Sequence, residues 1–314
     1  MGIDVSVIIV NYNTSSLLKN CIASIYEQTK RISFNIIVTD NNSSDDSVSM
    51  LRIEYPDVTV IPLDDNIGFG KANNLGALQA VGKYLFFLNS DTYLCNDAIS
   101  ILFDFMELNS ECGICGGNLI DFSGHPIHSF DRRFPGAFSD IFLLLKKLPR
   151  LLYGRSWCYN YTGLPMEVAY ITGADLMIRN ELFAAVKGFD PFFFMYYEET
   201  ELTVRIKKRG YRVYSVPTAK IAHKKGASLQ YNAGIDRAFY LSKYHYMTKV
   251  YGTNNSYMAH FIFVIVVMIK IAGFAVRNKY EQKKRYRDVL AFERSAFNDL
   301  IGSTHEKTHS SHFF

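Results

Sequence analysis

The sequence is short of cysteine, of net charge and of uninterrupted apolar runs. Five cysteines in 314 residues are an odd number in a long chain, which argues against the disulfide framework of a small secreted domain. The 34 lysine and arginine residues against 30 aspartate and glutamate residues give a formal charge of +4, too small to indicate a nucleic-acid partner. The N-terminal segment lacks the basic start and the cleavage site of a signal peptide. We therefore expect a cytoplasmic protein that does not bind nucleic acid.

The composition is that of a folded protein. Apolar residues make up 48% and charged residues 20% of the chain, which excludes a disordered or collagen-like protein. Over the first 120 residues, strand-like and helix-like segments alternate with short connections, a pattern that predicts an α/β fold with a mainly parallel central sheet flanked by helices. The predicted strands are 5–10, 34–39, 58–61 and 84–88, and the predicted helices are 15–28, 46–55, 71–81 and 96–108.

The second half of the chain has a less regular pattern. Residues 121–165 contain glycine, proline and clustered aromatic residues without periodicity, which indicates a variable and partly mobile insertion. The periodic pattern then resumes and ends near residue 216. Further strands are predicted at 168–178 and 211–216, and further helices at 181–186 and 200–209.

An apolar segment at 259–276 is short for a bilayer span of about 20 residues and is interrupted by His260 and Lys270. The stretch RNKYEQKKRYR, which holds six basic residues and one acidic residue, follows it. An apolar helix followed by basic residues suits peripheral contact with an anionic membrane through 259–287. The alternative is a helix packed on the main domain with a solvated basic tail, and the sequence leaves both open.

Polar residues follow each of the first four predicted strands. Asparagine, aspartate and serine are common in turns, so one such cluster would be ordinary. Four clusters at the carboxyl ends of neighbouring strands predict one continuous ligand-binding cleft. The residues are Asn11, Tyr12 and Asn13; Asp40 to Asp45; Asp64, Asp65, Asn66 and Gly68; and Asn89, Ser90 and Asp91.

Two aspartates in these clusters each have two interpretations. Asp40 suits a hydrogen bond from a base N–H or a ribose hydroxyl, but turn preferences taken alone favour a turn or helix cap. Asp91, in LNSDT, suits a Mg²⁺ or Mn²⁺ ion that bridges a diphosphate, and equally the cap of the helix that begins near Asn96.

The stretch NIGFGKANNLG resembles a dinucleotide-binding motif only in part. Gly68 and Gly70 fit its first two glycines, but Asn73 stands at the third, and the loop follows the third strand and not the first. These differences argue against a nicotinamide cofactor. The glycines still allow a close backbone approach to a phosphate or a sugar.

Acidic residues cluster in YYEETEL. Glu198 and Glu199 follow aromatic residues, and carboxylates crowded near apolar surface have raised pKa values that suit a general base. The alternative is acid enrichment in the first turn of a helix. For Glu201 we favour that structural role, because it can pair with Arg205 one helical turn later.

Two smaller features have ordinary explanations. His223 could complete a metal site with Lys224, Lys225 and Ser228 near phosphate oxygens, but a lone histidine is more often a plain loop residue. Cys112 and Cys115 lack a second pair and are interpreted as buried small residues.

Taken together, these motifs resemble family 2 glycosyltransferases of the GT-A fold, and within them the rhamnosyltransferase-like branch. The matching segments span residues 5–228, and their number and order exceed a chance match. They are VSVIIVNYN, VTDNNSSDDS, DDNIGFGKANNLGA, YLFFLNSDT, ITGADLMIRNELFAAVKGFD, FFFMYYEETEL, RIKKRGY and HKKGAS.

The resemblance implies a role for each matching residue. Glu199 is expected to be the catalytic base, with Glu198 beside it, and Asp91 with His223 to hold Mg²⁺ or Mn²⁺. Asn89 and Glu201 stand where many members of the family have aspartate. The implied donor-binding residues are Asn11, Tyr12, Asn13, Asp40, Asn66, Gly68, Asn74, Asn89, Ser90, Gly173 and Ala174.

The implied activity is an inverting transfer from a nucleotide-diphospho-sugar to a hydroxyl of a glycan or lipid-linked acceptor in surface polysaccharide synthesis. The donor is UDP- or dTDP-linked, with dTDP-rhamnose as one candidate, and the location is the inner face of the cell membrane. Two alternatives remain: a non-catalytic nucleotide-sugar-binding protein and a nucleotidyltransferase. A nucleotidyltransferase usually needs a glycine-rich, basic phosphate loop after the first strand, and the segment VNYNTSS is not such a loop.

The predicted domains are a catalytic domain at 1–230, with a nucleotide-binding half at 1–120 and an acceptor half at 121–230, a helical extension at 231–300 and a polar tail at 301–314.

Overall fold

A computed structural model describes residues 2–143, 145, 148–224 and 233–310. The chain divides into two compact units. The first unit comprises Met1–Phe134, Tyr153–Phe194 and Glu198–Gln230, and the second comprises Pro135–Leu152, Met195–Tyr197 and Tyr231–Phe314. The second unit therefore draws two short segments from within the predicted catalytic domain, and the functional labels of the two domains stay predictions.

The first unit is built on a mixed sheet of nine strands within the described residues, eight of them in the order β3-β2-β1-β4-β10-β6-β11-β5, with β8 also pairing with β11. The strands β3, β2, β1 and β4 are parallel, and β10 joins β4 antiparallel. The bounds are β1 Val5–Asn11, β2 Phe34–Asp40, β3 Thr59–Pro62, β4 Tyr84–Asn89, β5 Thr92–Leu94, β6 Cys112–Ile120, β7 Phe130–Asp131, β8 Met166–Glu167, β9 Tyr170–Ile171, β10 Asp175–Arg179 and β11 Arg212–His223.

Alternation along the central strands creates two cores, one on each face of the sheet. Val7 and Phe86 face one core, and their neighbours Ile8 and Phe87 face the other, as successive side chains of a strand must. Helices cover both faces, so the strands are buried from two sides. The helices of this unit are α1 Ser15–Gln28, α2 Ser47–Glu54, α3 Phe69–Leu78, α4 Ala98–Leu108, α6 Asn180–Ala185 and α7 Glu198–Lys208, and α5 Leu148–Tyr153 lies mostly in the second unit.

The predicted elements of the first 120 residues are confirmed with small shifts of their ends, whereas three later boundaries differ. The predicted strand 168–178 is two strands, β9 and β10, because residues 172–174 form the turn between them. The strand predicted to end at 216 continues to His223 as β11, whose register against β6 shifts between Ser215 and Lys220. This irregularity accommodates Pro217, which cannot donate to a regular ladder. The helix α7 begins at Glu198 rather than at residue 200, which places both adjacent glutamates in its first turn.

The insertion at 121–165 contains one short ordered pairing that the sequence did not indicate. Strand β7 pairs antiparallel with β9, with Phe130 opposite Ile171 and Asp131 opposite Tyr170. The pairing anchors this part of the insertion to the segment that leads into β10.

The second unit is helical, with α8 Ala233–Tyr251, α9 Thr253–Val276 and α10 Tyr280–Ser310. Inside it Lys243 Nζ lies 2.6 Å from Asp140 Oδ2. Buried Glu293 accepts hydrogen bonds from the Tyr244 hydroxyl and the His260 ring. Helix α10 continues to Ser310, so most of the residues predicted as a polar tail at 301–314 are helical.

Candidate functional site

The ends of three parallel strands are joined by a chain of buried side-chain hydrogen bonds. Asn11, at the end of β1, donates to Asp40 Oδ2 at the end of β2 at 2.7 Å. The Thr14 hydroxyl donates to Asn11 Oδ1 at 2.6 Å and lies 2.9 Å from the Ser90 hydroxyl after β4. The polar clusters predicted at the strand ends therefore meet in one network.

Asp40 organises the turn that follows its own strand. Its carboxylate accepts hydrogen bonds from the Ser43 hydroxyl at 2.7 Å and the Ser43 amide at 2.9 Å, and the residue is 2% exposed. The turn-capping interpretation is therefore confirmed, while contact with a nucleotide base stays a prediction. Asn13 lies in the left-handed region with φ 54° and binds the same turn, and its neighbour Tyr12 is exposed.

The glycine loop after β3 is held by Asn41, a residue outside the predicted site set. Its amide group donates to the Gly68 carbonyl at 3.3 Å and accepts from the Ile67 N–H at 3.0 Å. Within the loop, Asn66 accepts from the Gly68 N–H at 3.1 Å. The backbone of Gly68 is left-handed, and a Cβ there would lie 2.3 Å from the Phe194 carbonyl oxygen. The loop therefore requires glycine because of both its φ and this close approach.

The same loop is tied to the segment that carries the glutamates. The Phe69 N–H donates to the Phe194 carbonyl at 2.7 Å. Asn74, further along α3, donates to the Phe189 carbonyl at 2.8 Å and accepts from the Phe189 N–H at 2.9 Å. Asn74 thus positions the chain before the glutamates, and its contact with a donor stays a prediction.

Asp91 and His223 form a polar corner at the strand ends. His223 Nε2 lies 3.1 Å from Asp91 Oδ1 and 3.4 Å from Asn89 Nδ2. The pairing of β11 with β5 places His223 opposite Thr92. The Lys224 N–H donates to the Asp91 carbonyl at 2.9 Å, and Lys225 and Ser228 lie outside the described residues.

The donor set of this corner fits a divalent cation that shares its coordination with a ligand. Carboxylate and amide oxygens suit Mg²⁺ or Mn²⁺, and Asp91 and Asn89 provide them beside the His223 imidazole. Within residues 2–143, 145, 148–224 and 233–310, no group of three or more His, Cys, Asp or Glu side chains is arranged to hold a metal ion. A cation here would therefore take its remaining ligands from a bound phosphate or water.

Glu198 and Glu199 occupy the first turn of α7. Burial raises the pKa of Glu198 well above its usual range, and the adjacent Glu199 charge raises that pKa further. Glu198 Oε2 has no partner within the described part of the chain. Burial also raises the pKa of the half-buried Glu199. The expectation of a raised pKa in this cluster is confirmed.

The turn at residues 172–174 connects Glu199 to the group formed by Asp91, Asn89 and His223, which we call the Asp91 corner. A Cβ at Gly173 would lie 3.9 Å from the Glu199 Cβ and 3.5 Å from the Phe69 ring. The carbonyl of the next residue, Ala174, accepts the Asn89 N–H at 3.0 Å. The two predicted loop residues thus lie between the predicted base and the predicted metal ligands.

Glu201 has the structural role that its spacing indicated. Arg205 donates to both Glu201 carboxylate oxygens, at 2.7 to 2.9 Å. The same guanidinium donates to the Gly188 carbonyl at 2.7 Å, so the pair fixes the loop before α7. Cys112 and Cys115 are buried in β6, as predicted.

Thr14 and Asp131 were missed by the sequence interpretation, and Asn41 and Ser43 were named only as members of the polar cluster after β2, with no role of their own. Thr14, Asn41 and Ser43 lie in polar loops, where short hydrogen-bonding residues are common, so composition gave no reason to assign them a role. Asp131 lies in the irregular insertion, and its charge raises the pKa of Glu199. Only the fold brings it near the α7 glutamates.

Comparison with known sequences gives consistent matches. A sequence model described as glycosyl transferase family 2 matches residues 6–161. The chain is 27% identical over 266 residues to an N-acetylglucosaminyl-diphospho-decaprenol L-rhamnosyltransferase of Mycobacterium tuberculosis, covering 78% of this chain and 82% of that protein. It is 24% identical over 231 residues to the rhamnosyltransferase WbbL of Escherichia coli, covering 70% and 83%.

Solved structures share the fold. The mannosyltransferase PcManGT from Pyrobaculum calidifontis, in complex with GDP-Man and Mn²⁺, has a TM-score of 0.58 at 16% identity and covers 96% of this chain and 88% of that one. GalNAc-T7 with UDP, GalNAc and Mn²⁺ has a TM-score of 0.54 at 16% identity and covers 76% and 48%. At these identities the likeness concerns the architecture alone.

Proposed function

Because this chain belongs to the family 2 glycosyltransferases and has the GT-A fold, we propose that it transfers a hexose, with inversion, from a nucleotide-diphospho-sugar to a hydroxyl of a lipid-linked or glycan acceptor. Two of its relatives are rhamnosyltransferases, which supports a dTDP- or UDP-linked donor, with dTDP-rhamnose first among the candidates. The product would enter a surface polysaccharide. Family membership removes the case for a non-catalytic binding protein or a nucleotidyltransferase.

The observation that carries the proposal is the link between Glu199 and Asp91. Gly173 packs beside Glu199, and the Ala174 carbonyl accepts the Asn89 N–H. An inverting displacement needs a base on the acceptor side and charge stabilisation on the leaving-group side. One short turn separates groups suited to these two tasks.

Each residue has a defined part in this proposal. Glu199 takes the proton of the acceptor hydroxyl as its oxygen attacks the anomeric carbon, and the bond from that carbon to the diphosphate breaks. The half-buried position of Glu199 raises its pKa, which brings a carboxylate closer to the pH at which it is an effective base. Mg²⁺ or Mn²⁺ held by Asp91 and His223 would neutralise charge on the diphosphate. Asp40 and the backbone of residues 11–13 would border the nucleotide.

A transfer assay tests the proposal directly. Purified protein is incubated with dTDP-rhamnose or one of several UDP-sugars, a lipid-linked N-acetylglucosaminyl diphosphate and Mn²⁺. We expect one donor to be consumed and NMR of the product to show the inverted anomeric configuration. Glu199→Gln should abolish transfer, while Glu181→Gln, an exposed glutamate in the first turn of α6, should not. Retention of configuration would contradict the single displacement.

A second proposal concerns the surface of α9. This helix has a mean hydropathy of 2.4 over its most apolar window, of which only 22% is buried. One face packs inside the second unit through residues such as Phe263 and Val267, whereas large apolar side chains project from the other. These exposed residues are Tyr257, Met258, Phe261, Ile265, Met268 and Ile269.

The charge of the neighbouring segment supports an anionic lipid bilayer as the partner of this face. Basic residues continue from the end of α9 into the first turns of α10, and most of them are exposed. An apolar helix face beside such a cluster binds the interface of an anionic membrane. Within the helix, His260 and Lys270 are paired with Glu293 and Tyr286 of α10, which favours a helix lying on the bilayer over one that crosses it. We propose that the protein acts at the inner face of the cell membrane.

Vesicle sedimentation tests this surface. Wild-type protein should sediment with vesicles of phosphatidylglycerol and phosphatidylethanolamine, and less with neutral phosphatidylcholine or at high salt. The double substitution Phe261→Glu with Ile269→Glu should release it. The control, Ile53→Glu with Leu108→Glu, changes two exposed apolar residues of the first unit and should leave binding intact. Equal vesicle binding by the two double variants would refute the proposed membrane-binding face of α9.

A further inference from the structure

A polar and aromatic cluster lies in the insertion and in β9, on the segment that leads to Gly173. We name it the His128–Asp131 cluster, after two of its members, and it also includes Trp157 and Tyr170. Asp131 Oδ2 accepts the Tyr170 hydroxyl at 2.7 Å and lies 2.9 Å from His128 Nε2. The imidazole of His128 stacks on Trp157, with ring centroids 6.3 Å apart and planes 28° apart.

Backbone contacts fix this cluster against the catalytic turn. Asp131 in β7 pairs with Tyr170 in β9, and the Thr172 N–H donates to the Ser129 carbonyl at 3.2 Å. Residue 172 directly precedes Gly173, which packs beside Glu199. The cluster is therefore attached to the turn that separates the base from the Asp91 corner.

An electrostatic effect supports the same placement. The Asp131 carboxylate raises the pKa of Glu199, in addition to the larger effect of burial. Charges affect each other in this way only at short range when solvent lies nearby. Asp131 therefore lies close enough to Glu199 for its charge to act on that residue.

The cluster is open to solvent and keeps hydrogen-bonding capacity. The side chains of His128 and Asp131 are 40% and 26% exposed, and Trp157 is half-buried. Both contacts described for the carboxylate, the Tyr170 hydrogen bond and the close approach of His128, involve Oδ2, so Oδ1 is left to accept a further donor. His128 and Tyr170 hold the carboxylate in one orientation, which lowers the entropy cost of binding a ligand.

This combination matches the chemistry of a pyranose ring. A sugar presents hydroxyl donors at its edge and C–H groups on its faces. A fixed carboxylate oxygen accepts from the hydroxyls, and an indole packs against the apolar face. The cluster offers both at the base side of the turn, where an acceptor must lie.

We propose that the His128–Asp131 cluster is the acceptor-sugar subsite, in which Asp131 Oδ1 accepts a hydrogen bond from a hydroxyl next to the reacting one and Trp157 packs against the ring. The inference rests on the proposed glycosyl transfer. The reacting hydroxyl oxygen forms the new bond to the anomeric carbon, the bond from that carbon to the diphosphate breaks, and the proton goes to Glu199. Asp131 binds the acceptor and takes no proton.

Binding measurements with the Glu199→Gln protein test the subsite without turnover. The probe is a short-chain, water-soluble N-acetylglucosaminyl diphospholipid, titrated by calorimetry. Adding Asp131→Asn should weaken probe binding about tenfold or more, the usual cost of losing a hydrogen bond to a charged group, and leave donor binding unchanged. Trp157→Leu should also weaken probe binding.

A matched control is available in the same insertion. Asp121 pairs with His125 at 3.3 Å in an exposed turn, so Asp121→Asn removes a similar carboxylate from a similar pair. We expect it to bind the probe like the parent protein. In the otherwise wild-type protein, Asp131→Asn should raise the acceptor KM and shift the acidic limb of the kcat/KM profile to lower pH, which a merely structural role would not do.

Three results would overturn the inference. One is equal probe binding by the Asp131→Asn and Asp121→Asn proteins. Another is a loss of donor and probe binding in parallel, which would indicate a general structural defect. The third is failure of the wild-type protein to bind the probe while it still hydrolyses the donor; that result would refute the subsite and leave the donor half of the proposed function standing. Absence of both donor hydrolysis and transfer would instead count against the proposed function.

Discussion

The His223 ring nitrogen Nε2 lies 3.1 Å from Asp91 Oδ1, although the two residues lie far apart in the sequence. The antiparallel pairing of β11 with β5 creates this contact. Both side chains are largely buried, with 13% and 6% exposure. Their interaction is therefore screened less by salt than that of an exposed pair.

Asp91→Ala should weaken cation-dependent donor binding. A ligand present at 100 times its Kd stabilises the folded state by about 2.7 kcal/mol, so binding can be followed as a rise in melting temperature. We expect Mn²⁺ to increase the stabilisation of the wild-type protein by the donor and to have little effect on the variant. The exposed Asp104, which pairs with Arg31, provides the control substitution Asp104→Asn. An undiminished Mn²⁺ effect in Asp91→Ala would remove Asp91 from the metal site.

Glu199→Gln should lower kcat by about 10² to 10⁴, the usual contribution of a general base, without weakening donor binding. Glu201→Gln should affect stability and not the chemical step, because Glu201 is a structural partner of Arg205. We expect it to lower the free energy of unfolding and leave most of the activity per folded molecule. Urea unfolding and steady-state kinetics on both variants separate the two roles. Normal turnover by Glu199→Gln would refute the base assignment.

The rate should depend on pH through Glu199. Burial raises its pKa above the ordinary value of a glutamate, and only the ionised form accepts a proton. We therefore expect kcat/KM to be low at pH values below that raised pKa and to rise as the pH passes through it. A profile that is flat over the acidic range and begins to decline only near the ordinary glutamate pKa would contradict the assignment.

Glu198→Gln should stabilise the protein at neutral pH. The pKa of Glu198 is raised well above its unfolded value by burial, so the folded state binds the proton more tightly than the unfolded state does. The contribution of Glu198 to the free energy of unfolding is fully present below the unfolded pKa and is lost as the pH rises toward the folded pKa. The loss is about 1.4 kcal/mol for each unit by which the folded and unfolded pKa values differ. The gain of Glu198→Gln should therefore vanish near pH 4. A stability difference that does not change with pH would contradict this linkage.

Gly68→Ala should be more destabilising than Gly210→Ala. Both glycines have φ near +88°, but a Cβ at Gly68 meets the Phe194 carbonyl oxygen, whereas one at Gly210 meets nothing within 4 Å. The left-handed backbone costs alanine about 1–2 kcal/mol at either position, and the clash adds to that cost only at Gly68. Urea unfolding measures the difference. Equal losses would show that the close approach to Phe194 relaxes freely.

The central strands were predictable because their signal is local. The run at 5–10 is apolar and rich in β-branched residues, and such a run forms a strand buried on both faces. The later strands were predicted less well. A turn separates β9 from β10, and β11 continues through a shift in its register against β6. Pro217 signals a strand end in the sequence, but pairing with β6 carries the chain beyond it.

The site was predicted unevenly for a similar reason. Glu199 and Asp91 lie in motifs that can be recognised along the chain, and the pairing of Glu201 with Arg205 follows from helical spacing alone. Asn74 matched the same motif, yet both of its described hydrogen bonds hold Phe189 in place. Motif position indicated the neighbourhood of that side chain and not the direction of its contacts.

The sequence by itself determined the α/β class, the order of the first elements and the chemistry of the acids, because periodicity and residue type are properties of the chain. Tertiary structure decided which of these groups meet. The strand order β4-β10-β6-β11-β5 brings His223 to Asp91, and the pairing of β7 with β9 brings Asp131 toward Glu199. Such contacts depend on sheet pairing between distant segments, whose register no local pattern specifies.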